Sequence, residues 1–280
     1  MKYWRIDINR EYKLVDAVAE VTDSKRQAKR LIDEGLVSVN GVRELRYRRP
    51  LRKGSVIEFC FNPKLFKSEK PQLLYREEGV LVVNKPPFIN SNLDRPNLEE
   101  VLRRALGKEI FVVHRLDKQT SGAILAVEEA ELFEKFKELF KKREVKKEYL
   151  TVVAASPNWK KRRIEKRLDG KEAITELTVV ERFKRGALLR AEIPTGRKHQ
   201  IRRHLSLTGL PIAGEFTYWK RALPFPFTLS PRILLHSQSL EFNHPVTGKR
   251  VKVEAPLPED FQLFLNDLRE WSFKVNELTL

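Results

Sequence analysis

The sequence predicts an α+β chain in two unequal parts, and three observations carry that prediction. Between residues 13 and 35 apolar residues recur at helical spacing, and the pattern then switches to short strand-like runs that close with Val56-Ile57-Glu58-Phe59. Residues 61–72, with Pro63 and Pro71 and little periodicity, read as a linker. Beyond them β-branched runs recur through a long strand-rich middle with a few helical stretches, as expected of a sheet packed against helices.

The elements follow in order. Residues 1–12 carry no pattern that assigns them. Leu14, Val15, Val18 and Ala19 give a first helix. Thr22-Asp23-Ser24 is an N-cap cluster for a second, with Ala28, Leu31 and Ile32 on its inner side and Gly35 as its stop. Leu36-Val37-Ser38-Val39, the turn Asn40-Gly41 and a run from Val42 predict a hairpin. Leu73 to Val83 gives a strand, a turn and a buried strand. Leu98–Leu106 is a short amphipathic helix, and Ala130–Lys142 a longer one with Leu132, Phe133, Phe136, Leu139 and Phe140 on one side. Ile110–Val113, Ala123–Val127, Val145–Val153, residues 173–183 and residues 186–193 are expected strands. Lys160 to Arg167, between Trp159 and Gly170, is expected as an exposed basic loop, either clamping a polyanion or simply solvated. A helix begins near Ile201. Residues 233–237 and 240–248 read as two strands, and residues 261–271 as a closing helix.

Composition bounds the function. The 280 residues hold 41% hydrophobic and 33% charged side chains, a soluble globular balance. Lys and Arg number 55 against 38 acids, for a net charge of +17, which points to a polyanionic partner, most simply nucleic acid. No apolar run approaches the ~20 residues of a membrane helix. Met1 to Asp7 has no signal-peptide core. The single Cys60 rules out an internal disulfide and a cysteine-built metal cluster, which fits a reducing cytoplasm. From residue 24 to 53 ten Lys or Arg face three acids; Lys25, Arg26, Lys29 and Arg30 lie on the polar side of the second helix. One sign dominates a small αα-β unit, which favours contact with a phosphate backbone over an ordinary solvated face.

The chemistry centres on His114-Arg115-Leu116-Asp117-Lys118-Gln119-Thr120-Ser121-Gly122, a polar loop held between two buried strands. Asp117 and Asp169 are the only aspartates between residues 95 and 259. An oriented carboxylate serves as nucleophile or base. A surface ion-pair turn explains the same residues, and such turns often do nothing measurable. Lys147, Tyr149 and Thr151 share one strand face. His199 and His204 lack the spacing of a helical zinc pair and have no acid nearby, so they are expected as satisfied loop and helix histidines, with no metal bound.

Five separated segments resemble one family in its order. Asn84-Lys85-Pro86, His114-Arg115-Leu116-Asp117, Lys147-Glu148-Tyr149, Thr195-Gly196-Arg197-Lys198-His199-Gln200-Ile201-Arg202 and the run around Leu234-Leu235 are similar to motifs of the RNA pseudouridine synthases, in the branch that modifies large-subunit ribosomal RNA and some transfer RNAs. Ser24 to Gly41, with Gly54 to Ile57, resembles the small RNA-binding domain of a small-subunit ribosomal protein. One departure stands out: Pro87-Phe88-Ile89-Asn90-Ser91-Asn92 replaces the family's glycine and histidine, and no role is assigned to it. The resemblance implies an α+β fold with a small N-terminal RNA-binding domain over residues 1–60 and a catalytic domain over 73–280, built on a mixed, mainly antiparallel sheet flanked by helices.

It also implies the activity, isomerisation of uridine to pseudouridine with no cofactor. By resemblance Asp117 is the essential nucleophile or base. Tyr149 stacks on the uracil or moves the proton at carbon 5, Arg202 pairs with Asp117, and Arg115 holds the flipped nucleotide. Leu235 packs near the uracil, and Lys147 belongs to the same binding surface. Flipping the target costs about a few kcal/mol, which the basic surface offsets. The expected partner is RNA, ribosomal before transfer RNA, with the chain a cytoplasmic monomer off the membrane. Two rivals are weaker. An inactive RNA-binding protein need not retain Asp117, Tyr149 and Arg202 together, and a metal-dependent nuclease needs clustered acids where this motif has one.

Overall fold

Strands that are apolar along their whole length must be covered on both faces, and the computed structural model has that arrangement. It describes residues 2–22, 24–62 and 70–280. The N-terminal part runs β1 (Lys2–Asp7), β2 (Tyr12–Lys13), α1 (Leu14–Thr22), α2 (Lys25–Asp33), β3 (Val37–Val39), β4 (Val42–Arg43), β5 (Pro50–Leu51) and β6 (Val56–Phe61). The larger part continues with β7 (Gln72–Glu77), β8 (Val80–Lys85), α3 (Leu98–Leu106), β9 (Phe111–Val112), β10 (Ser121–Val127), α4 (Ala130–Lys141), β11 (Lys146–Val153), β12 (Lys161–Glu165), β13 (Ile174–Arg182) and β14 (Ala187–Glu192). It closes with α5 (Gln200–Leu207), a 3-10 turn at Phe227–Leu229, β15 (Leu235–Asn243), β16 (Arg250–Glu254), α6 (Glu259–Glu270) and β17 (Val275–Thr279).

The large sheet runs β12-β13-β14-β11-β15-β10-β8-β7, with β16 beside β15 and β9 beside β10. Its pairs are antiparallel except β10 with β15. The period of two decides which face each residue serves. Leu81, Val83, Ile124 and Ala126 join the core with α3 and α5 residues such as Leu98, Leu102, Ile201 and Leu205. Their neighbours Val80, Val82, Ala123 and Leu125 join α4 residues Leu132 and Phe136 on the other face. α6 packs on a third cluster through Phe261, Phe264 and Leu265, together with Val152 and Leu188. This is the mixed, mainly antiparallel sheet flanked by helices that the sequence implied.

The small sheet runs β17-β1-β6-β3-β4 and packs on α1 and α2 through Ile6, Leu14, Leu31, Ile57 and Phe59. Ser24 caps α2, accepting from the Gln27 amide, and Asn40-Gly41 makes the two-residue hairpin turn.

The structure adds to the sequence reading or corrects it in several places. Residues 1–12 are not featureless, because β1 lies inside the small sheet between β6 and the C-terminal β17. β17 therefore belongs to the N-terminal sheet although its sequence falls within 73–280. Lys161–Glu165 is an edge strand rather than a loop, with only Ile164 turned inward. Residues 235–243 form one strand where two were expected, and residues 250–254 add another. Of the expected linker 61–72, Phe61 ends β6 and Gln72 begins β7, while residues 63–69 lie outside the described residues.

Candidate active site

Asp117 stands on the loop between β9 and β10. Leu116 is buried in the core, and Ser91 clasps its backbone, donating from Oγ to the Leu116 carbonyl and accepting from the Leu116 amide, both at 3.0 Å. The Thr120 amide donates to the Asp117 carbonyl at 3.0 Å, and the Phe88 amide to the Lys118 carbonyl at 2.7 Å. The Pro87–Asn92 segment, to which the sequence assigned no role, thus braces the Asp117 loop. Buried Lys85 helps, donating to the carbonyls of Pro86, Ile89 and Lys118; burial lowers its pKa to about 7. On the exit side Gly122 lies against β15 so closely that a Cβ would sit 2.2 Å from the Ser237 carbonyl oxygen, and its φ is +110°. Only glycine allows the β10–β15 approach there.

That approach brings the other residues in. Tyr149 and Lys147 come from β11 and Leu235 from β15, the two strands that follow β10 across the sheet. Together with Arg115 and Asp117 they line one cleft of about 560 Å³, whose wall is cationic through Arg115, Lys141, Arg143, Arg197 and Lys198. Arg202 rises from the first turn of α5 behind Asp117. Its Nη1 donates to Asp117 Oδ2 at 3.2 Å.

Two residues that the sequence reading did not place in the site complete this arrangement. Glu215 has a fully buried side chain. Its Oε2 accepts from Arg202 Nε at 2.7 Å and its Oε1 from Arg202 Nη2 at 3.0 Å, while Oε1 also accepts from the amides of Thr217 and Tyr218. One guanidinium therefore spans two carboxylates, with the fork geometry that arginine supplies and lysine does not. Burial opposes the charge on Glu215, but the Arg202 fork overrides it and keeps the carboxyl below its ordinary range. Burial also opposes charge on Arg202, and Glu215 and Asp117 outweigh it. Glu215 carried one signal in sequence: it is the only acid between Ile193 and Leu240.

The second residue is His199. It was expected as a satisfied loop histidine, and its Nδ1 is indeed 2.7 Å from the Tyr218 hydroxyl. Its backbone is left-handed (φ 54°), and Nε2 faces Asp117 Oδ1 at 3.4 Å. Burial lowers its pKa, against the pull of Asp117. His204 is a buried helix histidine held by Thr175 and the Lys166 carbonyl, as expected.

The cleft electrostatics follow from burial. His114 is pushed down to about 3 by burial and then by Lys147. It is a neutral ring whose Nε2 accepts from the Leu125 amide at 3.0 Å, which leaves the proton on Nδ1. Lys147 is lowered to about 8, by burial and then by Arg197. Tyr149 is raised, by burial first and by Asp117 second, so its phenol keeps its proton. Among the described residues no group of three or more His, Cys, Asp or Glu could hold a metal ion.

Lys25, Arg26, Lys29 and Arg30 are not in the cleft. They are exposed along α2, where Lys25 pairs with Asp16 at 2.8 Å and Lys29 sits 4.9 Å above the Tyr47 ring. A hollow of about 970 Å³ beside them in the N-terminal part is lined by Lys13, Lys25 and Arg52 with Asp16 and Glu20.

Comparison with known proteins agrees with this geometry. Residues 79–207 match the family model described as RNA pseudouridylate synthase, and residues 18–66 match the S4 domain. A Helicobacter pylori protein described as an uncharacterized RNA pseudouridine synthase is 31% identical over 270 residues, covering 91% of this chain and 100% of the relative. The ribosomal large subunit pseudouridine synthase D of Xanthomonas campestris is 32% identical over 244 residues, covering 74% of this chain and 72% of the relative. The human RNA pseudouridylate synthase domain containing 4 has the same fold, with a TM-score of 0.60 at 24% identity over 71% of this chain and 93% of that one. The chain belongs to the RNA pseudouridine synthases. It is an isomerase that acts on RNA, with an S4 RNA-binding domain at its N terminus.

Proposed function

We propose that this enzyme converts specific uridines of large-subunit ribosomal RNA to pseudouridine, using Asp117 on a nucleotide flipped into the cleft between Tyr149 and Leu235. The observation that carries the reading is the meeting of Asp117, Tyr149, Lys147, Leu235 and Arg115 in one cleft of about 560 Å³, with Arg202 paired to Asp117 from behind. The ribosomal assignment is supported by the relatives named for the large ribosomal subunit and by the S4 domain.

In the reaction the bond from N1 of uracil to the ribose C1′ breaks. The base turns, a bond forms from C5 to C1′, and the proton leaves C5 while N1 gains one. Asp117 serves as nucleophile at the ribose or as base, held in one rotamer by Arg202 and His199. Tyr149, whose phenol keeps its proton, stacks on the base, and the C5 proton passes to the Asp117 carboxylate or to water. Leu235 gives the base an apolar floor. Arg115 lies exposed at the mouth, and no described residue pairs with its guanidinium, which suits it to fill the space that the flipped base vacates. Lys147 and the cleft's cationic wall hold phosphates. Residues 1–60 dock the RNA through Lys25, Arg26, Lys29 and Arg30, and residues 73–280 supply the chemistry. One chain provides every residue named, consistent with a monomer. Among the described residues no helix is long and apolar enough to cross a membrane, and the buried free thiol of Cys60 suits the cytoplasm.

The test is to map pseudouridine chemically in ribosomal and transfer RNA from cells with and without the gene. Loss of one or more sites in large-subunit RNA alone supports the assignment. Loss confined to transfer RNA replaces it with the second substrate class.

A further inference from the structure

We propose that Glu34 is a positioning residue, tying the RNA-docking helix α2 to the loop that carries Asp117. The inference rests on the reading above, in which α2 contacts RNA and Asp117 is the reacting group. Glu34 is the C-cap of α2. Its side chain pairs with Lys118 at 2.5 Å, and its backbone carbonyl accepts from Gln119 Nε2 at 2.6 Å. Both partners follow Asp117 directly in sequence. The carbonyl is one of those a helix end leaves without a partner in its own ladder, so the Asp117 loop satisfies a backbone group of the N-terminal domain.

The junction is rigid on both sides. Gln119 is not a loose side chain, since its Oε1 accepts from the Ile233 amide at 2.8 Å and its carbonyl accepts from fully buried Arg232 at 2.9 Å. On the helix side Gly35 presses on Phe216 so closely that a Cβ would lie 2.8 Å from the ring, and its φ of +68° also demands glycine. Asp33, Glu34, Phe216, Asp117, His199 and Arg202 border a second, smaller cavity of about 190 Å³, on the side of Asp117 where α2 ends.

The nine residues of α2 span about 14 Å. The N-terminal half of this strut, up to its middle, carries Lys25, Arg26 and Lys29, and the C-terminal end holds the Asp117 loop. RNA bound along the helix therefore acts on the reacting carboxylate through a single rigid element. Binding energy gathered on α2 is expressed in the rate and not only in affinity. This gives the charged face a role beyond generic attraction: it favours catalysis on RNAs whose target uridine lies at the distance set by the strut.

The test is a mutant cycle on a ribosomal RNA transcript tritiated at C5 of uracil, reading affinity and single-turnover rate separately. Arg26→Ala with Lys29→Ala is expected to weaken binding and slow the bound complex by about tenfold, and Glu34→Ala to slow it by about tenfold with affinity unchanged, the triple variant being no slower than Glu34→Ala. Lys118→Met, which breaks the same pair from the other side, should match Glu34→Ala, and Glu34→Gln, which keeps a hydrogen bond to Lys118, should recover most of the rate. Losses that multiply to about a hundredfold in the triple variant overturn the coupling while leaving RNA docking by α2 intact. If the Arg26 and Lys29 variant binds like wild type, it is the docking role of α2 that fails, and the coupling fails with it.

Discussion

Arg202 holds two carboxylates at once, and its buried position makes each of them matter. Glu215 takes both sides of the fork, leaving Nη1 for Asp117. Replacing Glu215 with Gln leaves the guanidinium buried without its fully buried counter-charge, and breaking such a pair costs about 3–5 kcal/mol; urea denaturation should read a loss of that order, with catalysis falling alongside it. Lys147 offers a pH test. Its pKa in the free protein is lowered to about 8, so it is charged below that value and neutral above it. RNA affinity should decline as pH rises through about 8, and Lys147→Arg, which stays charged, should remove that limb from a binding titration. Asp117, Tyr149 and Arg202 could be singled out in sequence as candidates because each sits in a distinctive local motif. Glu215 and His199 were not read as site residues, because their meaning lies in a pairing across the fold: a lone acid beside Gly214 says nothing of the arginine it will face.

At the scale of elements, the site depends on how closely β10 and β15 approach. Gly122→Ala places a Cβ against the Ser237 carbonyl and forces a left-handed backbone on alanine. It should destabilise the protein by about 3 kcal/mol in urea titration and lower activity in proportion. The strands with continuous apolar runs, β8 and β10, and those with apolar alternation, β11, β13 and β14, were readable because each has a core on one or both faces. β12 was not, since its Lys161, Arg162 and Arg163 face solvent and only Ile164 turns inward; charged side chains on an edge strand discourage pairing with other chains and blur the pattern at the same time. β15 was split in two because Ser237, Gln238 and Ser239 interrupt its apolar run. The ladder is irregular at the same place, where the pairing with β11 shifts register.

At the scale of the whole molecule, the N-terminal domain and the catalytic part share structure at both ends of the chain. β17 pairs in parallel with β1, and the Asn9 amide donates to the Leu280 carbonyl. No local pattern announces a pairing between the first and last residues of a chain, which is why residues 1–12 carried no prediction. Tyr3 and Cys60 of the N-terminal part lie in one cluster with Phe261 and Phe264 of α6, joining the parts through a core. Removing residues 275–280 should lower the melting temperature by about 5 °C or more and weaken RNA binding, with Asp117 and its partners untouched; calorimetry and a binding titration check both.

The account turns on Asp117. The most direct measurement is tritium release from RNA labelled at C5 of uracil, comparing wild type with Asp117→Ala and recording RNA binding for both. The prediction is release by wild type, a fall on the order of 10³-fold or more in the variant, and unchanged binding. Release by Asp117→Ala at the wild-type rate would contradict the account and move the chemistry to another residue of the cleft.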